Sequence, residues 1–179
     1  MKKKGANMKQ YIRHRHQKIK SWLGQKEIKT KLISAALCLL FFYAAYSKLS
    51  DYDGALQDMR NQVFPRAVAD VFTWFIPCLE SLAVLLLLFP SGRIAGLWLS
   101  FGLMAVFSLY IAIVMTKVFG RVPCSCGGIL EDIPYPVHLA FNLVFVALAV
   151  WGLYLQNQWI KLKYMFHFKR RKEVAPEIG

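Results

Sequence analysis

Apolar residues gather along the chain into four long blocks separated by short polar stretches. The first runs Leu32–Leu49 with Lys48 near its end, and the second runs Val71–Phe89 with Glu80 as its only charge. The third, Ile94–Thr116, has no charge, and the fourth, Val137–Leu155, has none when His138 is neutral. A hydrocarbon layer of about 30 Å takes roughly 20 helical residues to cross, so each block is predicted as a transmembrane helix. Lys48 can belong to the first if its ammonium snorkels to the interface. That block follows a long basic tail and precedes no small-x-small cleavage pattern, which predicts a retained helix rather than a secretory segment.

The polar stretches carry signals of their own. Between the first two blocks, Leu56, Met59, Val63 and Phe64 recur at helical spacing, predicting a short amphipathic helix on the membrane surface that Phe64-Pro65 ends. Pro90-Ser91-Gly92-Arg93 reads as a tight turn, and VPCSCGGILEDIPYP is too rich in Gly and Pro to continue a helix. In the first 31 residues, Ile19, Trp22, Leu23 and Ile28 allow either a turn or two of interfacial helix or a simple solvated tail. Trp159, Tyr164, Phe166 and Phe168 interleave with Lys and Arg as in an interfacial belt. The expected organisation is a basic tail over 1–31, a membrane domain over 32–155 and a basic aromatic tail over 156–179.

Composition agrees, because a chain 56% hydrophobic and 18% charged has too little charged surface for a soluble domain. The net charge of +13 raises the question of nucleic acid, since Lys and Arg neutralise phosphates. Its distribution answers otherwise: eleven of the 23 Lys and Arg lie in the first 31 positions and six more between Lys161 and Lys172. Basic ends flanking apolar spans are topology signals and contacts to anionic headgroups, so the expected partner is the lipid bilayer and not nucleic acid. The first interspan loop sets three cations against four Asp, and the third holds only Lys117 and Arg121. Retention of the more basic segments predicts both termini cytoplasmic, with the first and third loops outside. The fold class expected is all-α, an integral membrane four-helix bundle.

Candidate chemistry centres on Cys124 and Cys126. Outside the cytoplasm such thiols can be oxidised and remain so. A disulfide across two residues closes a strained ring, and strained or exposed disulfides tend to be the labile, catalytic ones. A structural pair, or metal handling with ligands supplied elsewhere, are the alternatives, two ligands being too few for a closed zinc site. Glu80 falls near mid-membrane, where a carboxylate is costly and normally faces the bundle interior. It could relay protons, donate a hydrogen bond to a quinone-like ligand, or simply tie two helices together. At 1.5 Å per residue, Lys48 lies about 15 Å from the depth of Glu80, so no direct ion pair is expected. Cys38 and Cys78 share a depth and could form a second, membrane-embedded redox pair, although buried Cys is usually a small hydrophobe. His138 and Asn142, four apart, share one helix face, where His138 could lower a thiol pKa or the pair could bridge helices. No cofactor is otherwise evident.

The stretch from Tyr43 to Phe89, with Ala44-Ala45-Tyr46-Ser47-Lys48-Leu49 and Ile76-Pro77-Cys78-Leu79-Glu80, resembles the methylamine utilisation protein MauE family within the DoxX-like group. The Cys-x-Cys-Gly-Gly loop and the segment from His138 to Asn142 extend the resemblance to about residues 30–155. Among the positions carried over are Lys48, Pro77, Glu80, Cys124 and Cys126. The loop departs from the family, reading Cys-Ser-Cys-Gly-Gly where Cys-Gly-Cys-Phe-Gly is frequent. The resemblance implies a four-helix bundle in a bacterial inner membrane with a redox-associated role. MauE itself is linked to maturation of methylamine dehydrogenase, whose small subunit is dense in disulfides. Together with the residues, this predicts a thiol-disulfide role toward a thioredoxin-like or disulfide-containing extracytoplasmic protein. The alternative is a non-catalytic assembly or transport subunit with a polar intramembrane site at Glu80.

Overall fold

A computed structural model describes the backbone of residues 2–63, 65–116 and 134–174, with side chains described for 21, 24–63, 65–116 and 134–158. Five helices follow in order: α1 (Lys2–Ser50), α2 (Tyr52–Arg60), α3 (Arg66–Leu88), α4 (Arg93–Met115) and α5 (Tyr135–Val174). No strand occurs among the described residues. Four stretches are long and apolar enough to cross a membrane: Gly24–Ser50, Arg66–Leu88, Arg93–Met115 and Tyr135–Gln158. They coincide with the four sequence blocks to within a few residues at most ends.

The largest differences at the span ends are at the starts of α1 and α3. The basic tail is helical from Lys2, since it contains no Pro and is rich in Lys and Gln, which are good helix formers. Helix α3 starts five residues before Val71, with Pro65 at its N-cap (φ −57°, ψ 145°). Proline suits a helix entrance, where a backbone N–H would have no intrahelical partner. The amphipathic α2 forms as predicted but closes at Asn61, whose N–H donates back to Gln57 O while the Gln62 N–H donates to Met59 O, so Val63 lies beyond it.

Residues 33–153 form one compact unit. Its α3 buries one stripe, Ala69, Thr73, Pro77, Glu80, Ala83 and Leu87, at spacings of three and four. The facing stripe of α4 is rich in small residues, including Gly96, Ser100 and Ser108. Such residues let helices approach closely where lipid removes the hydrophobic drive for association. A Cβ on Gly96 would stand 2.9 Å from the Leu87 backbone nitrogen, so the α3–α4 hairpin needs glycine there. Helix α5 joins at Gly152, where an added Cβ would meet Leu97 at 3.0 Å and Ile33 at 3.1 Å. Three buried hydroxyls of α3 and α4 are satisfied within their own helices: Thr73 Oγ1 donates to Ala69 O at 2.9 Å, and Ser100 and Ser108 Oγ donate to Gly96 O and Met104 O at 2.7 Å. Facing outward are Val71, Trp74, Leu85, Trp98, Val106 and Leu109, an apolar exterior that requires lipid.

Residues 1–32 with 154–179 form a second unit. Within it Thr30, Leu155 and Gln156 are buried, and Lys31 pairs with Glu27 at 2.9 Å on an exposed i,i+4 face.

Candidate functional site

The site begins where α1 ends. Beyond Ser50 the chain turns at Asp51, whose Oδ1 accepts from the Gly54 N–H at 3.0 Å and so caps α2. The Tyr52 ring then lies against Trp74, with centroids 5.0 Å apart. At the other end of α2, the Arg60 guanidinium donates twice to the Asp70 carboxylate, at 2.6 and 3.0 Å, and this hydrogen bond raises its already high pKa. Helix α2 is thereby laid along the first turns of α3. Tyr52, two residues beyond the end of α1, thus packs two turns into α3 and not at the start of that helix.

This register brings together two residues that the sequence reading kept apart. The Lys48 ammonium donates to both oxygens of Glu80, at 2.8 and 3.2 Å, and to Ala44 O at 3.3 Å. The expectation of no direct ion pair, and of an ammonium snorkelling to the interface, is corrected. Two physical causes were missing. The helix ends are not flush, so Lys48 and Val71 do not mark one depth. Helical side chains also lean toward their own N-terminus, and on antiparallel helices that lean carries Lys48 and Glu80 toward each other. The Glu80 side chain is 1% exposed and that of Lys48 21%. Among the described residues, Lys48 is the only hydrogen-bond partner of the carboxylate.

The pair opens onto a cavity of about 570 Å³. Contributions come from α1 (Phe41, Tyr43, Lys48), α2 and the turn after it (Asp58, Met59, Gln62), α3 (Thr73, Ile76, Glu80), α4 (Trp98, Gly102, Tyr110) and α5 (His138, Phe141, Asn142), among others. Apolar and aromatic surface dominates. Polar groups include the ion pair, Asp58, His138, Asn142 and the Tyr110 hydroxyl, which donates to Gln62 Oε1 at 2.6 Å. One backbone group adds to these. Pro77 lacks an N–H, so the carbonyl of Thr73, a lining residue, loses its usual i+4 donor.

A sequence model of the methylamine utilisation protein MauE family matches residues 26–155. The chain belongs to that family. No curated protein and no solved structure matches it. The MauE match takes in α2, α3 and α4 entire, the apolar parts of α1 and α5, and the segment that carries Cys124 and Cys126.

Within this MauE-family bundle the residues singled out from sequence are placed unequally. Glu80, Lys48, His138 and Asn142 line one cavity, and Asn142 is buried there. Cys38 and Cys78 are both free, and Cys78 is exposed on the outer face of α3 beside Trp74 and Phe75, away from the stripe that holds Glu80. Cys124 and Cys126 lie outside the described residues. Among the cavity residues that went unnoticed in the sequence are Tyr110, Gln62 and Gly102. Tyr110 and Gly102 sit inside the least polar block and carry no charge to draw attention. The i+4 hydroxyl and glycine patterns of α4 were the available signal.

Proposed function

We propose that this MauE-family membrane protein serves thiol–disulfide chemistry on an extracytoplasmic, disulfide-containing client, with Cys124 and Cys126 as the exchanging pair. One observation carries the reading. The helices on either side of residues 117–133, α4 and α5, contribute Tyr110, Ile111, His138 and Asn142 to the cavity that holds the Lys48–Glu80 pair. The end of α4 and the start of α5, which flank the cysteine segment in the chain, thus both border the cavity that holds the ion pair. In the exchange, a thiolate attacks a disulfide sulfur, a mixed disulfide forms and the displaced sulfur leaves as thiolate. The second thiol then resolves the intermediate, so that one disulfide is gained as the other is lost. On this reading the chain sits in a bacterial inner membrane with both termini cytoplasmic, and its partner is a thioredoxin-like protein or the client itself. Methylamine dehydrogenase is the client that the family name suggests.

The test uses the full chain in its native membrane. A Cys124→Ser or Cys126→Ser variant is expected to accumulate a mixed disulfide with the client, separable on a non-reducing gel, and the double Ala variant to lose client oxidation. Unaltered client disulfides in the double variant, with membrane insertion intact, would sink the proposal. The buried ion pair favours a second reading, a non-catalytic assembly or transport subunit that uses the polar cavity. That reading expects no trapped mixed disulfide under oxidising conditions and loss of phenotype on substituting Glu80.

A further inference from the structure

We infer that the cavity around Lys48 and Glu80 binds the headgroup of a lipid-soluble quinone. Four observations converge on a neutral, planar, membrane-borne ligand. First, Tyr43, Phe75, Trp98 and Val106 line the cavity and are also exposed on the outer surface of the bundle, so the space reaches the apolar phase where such molecules reside. Second, its volume of about 570 Å³ falls within the range of small-molecule sites, and Gly102 leaves part of it open. A Cβ at Gly102 would meet nothing within 4 Å.

Third, the charges disfavour an anionic headgroup. Lys48 is already neutralised by Glu80, and Asp58 adds a further negative charge to the lining, so a phosphate would find no second Lys or Arg among the residues that line the cavity. Fourth, hydrogen bonding fits both redox forms of a quinone. Of the three Lys48 contacts, that to Ala44 O is the longest at 3.3 Å, and a quinone carbonyl can replace it as acceptor. The Glu80 carboxylate has two oxygens and one partner, which leaves lone pairs for a quinol O–H. Aromatic walls such as Phe41, Trp98 and Phe141 suit a flat ring, which packs offset or edge-on against them.

The inference deepens the thiol–disulfide reading by naming an electron carrier. A dithiol and a quinone yield a disulfide and a quinol, with two electrons and two protons transferred. Binding itself does not depend on the cysteines, so the experiment uses a Cys124→Ser/Cys126→Ser chain and fails or succeeds independently of that reading. The purified full chain in detergent is titrated with a ubiquinone analogue bearing one isoprene unit, with tryptophan fluorescence as readout, since Trp98 forms part of the wall.

Saturable quenching is expected, lost in large part in Trp98→Phe. Gly102→Leu fills the open space and should weaken binding by roughly tenfold with thermal stability retained. The double variant Lys48→Met/Glu80→Leu, which removes the anchor without stranding a charge, should weaken it similarly. Absence of saturable quenching overturns the inference, as does undiminished affinity in a folded Gly102→Leu chain. Equal competition by a short-chain phosphatidylglycerol would reassign the cavity to phospholipid and overturn it too.

Discussion

Lys48 and Glu80 are the only oppositely charged side chains that the described bundle joins across the α1–α3 contact, and their energetics are those of a buried pair. Attraction in a low-dielectric interior is offset by desolvation, so the pair as a whole contributes little net stability. Removal of one partner is different, because it strands a charge. Lys48→Ala or Glu80→Ala is expected to cost about 3–5 kcal/mol, whereas Lys48→Met/Glu80→Leu should be close to neutral. Thermal unfolding of the three variants in one detergent checks this, and equal destabilisation of singles and double would refute it. Each residue was conspicuous in the sequence as a charge in an apolar block, yet the link between them was not legible. Spacing along the chain gives the depth of a Cα, while contact depends on helix register and on the direction in which a long side chain leans. The opposite holds for Cys38 and Cys78, where equal depth suggested proximity but helix rotation leaves Cys78 outward.

At the scale of elements, apolar blocks and breakers were enough to read four spans and the surface helix. Their ends and packing were not, because these depend on capping and on small residues whose neighbours lie far off in sequence. Helix α2 shows the capping case. Its N-cap bond from Gly54 N–H to Asp51 holds the first turn, while the exposed Arg60–Asp70 bridge at the far end adds little. Asp51→Ala should therefore cost about 1 kcal/mol, confined to α2. Hydrogen exchange is the suitable measurement: amides of Gly54 and Ala55 should lose protection, and those of α3 should not. Two glycines of α4 show the packing case. Gly96 faces backbone atoms of Leu87, but Gly102 faces open space. Gly96→Ala should destabilise by about 1–3 kcal/mol through overpacking. Gly102→Ala should hold or slightly raise stability, since alanine is the better helix former by about 1 kcal/mol. A reversed order in thermal melts would contradict this account of the α3–α4 hairpin.

For the whole molecule, the proposed topology has four spans that return the chain to the side from which it started, with the two basic tails in the same compartment. Which compartment is a matter of charge. Eleven Lys and Arg precede residue 32 and six lie between Lys161 and Lys172, while the segments before α3 and after α4 are poor in them. On the topology proposed above, cytoplasmic retention of Lys and Arg puts the tails in the cytoplasm and the cysteine segment outside. The position of the cavity gives this orientation a functional consequence. Its polar lining includes Tyr110 near the end of α4 and His138 near the start of α5, the two helix ends that flank the cysteine segment, so the proposed topology puts that lining toward the side of the cysteines. A membrane-impermeant maleimide applied to intact reduced cells should label Cys124 and Cys126, and a variant lacking both should lose that signal. A fluorescent protein fused after Gly179 should mature in the cytoplasm, and a periplasmic phosphatase fused there should stay inactive. Labelling of the cysteines only after cell lysis would place the pair on the reducing side, where a lasting disulfide is disfavoured, and would remove the basis for a thiol–disulfide role.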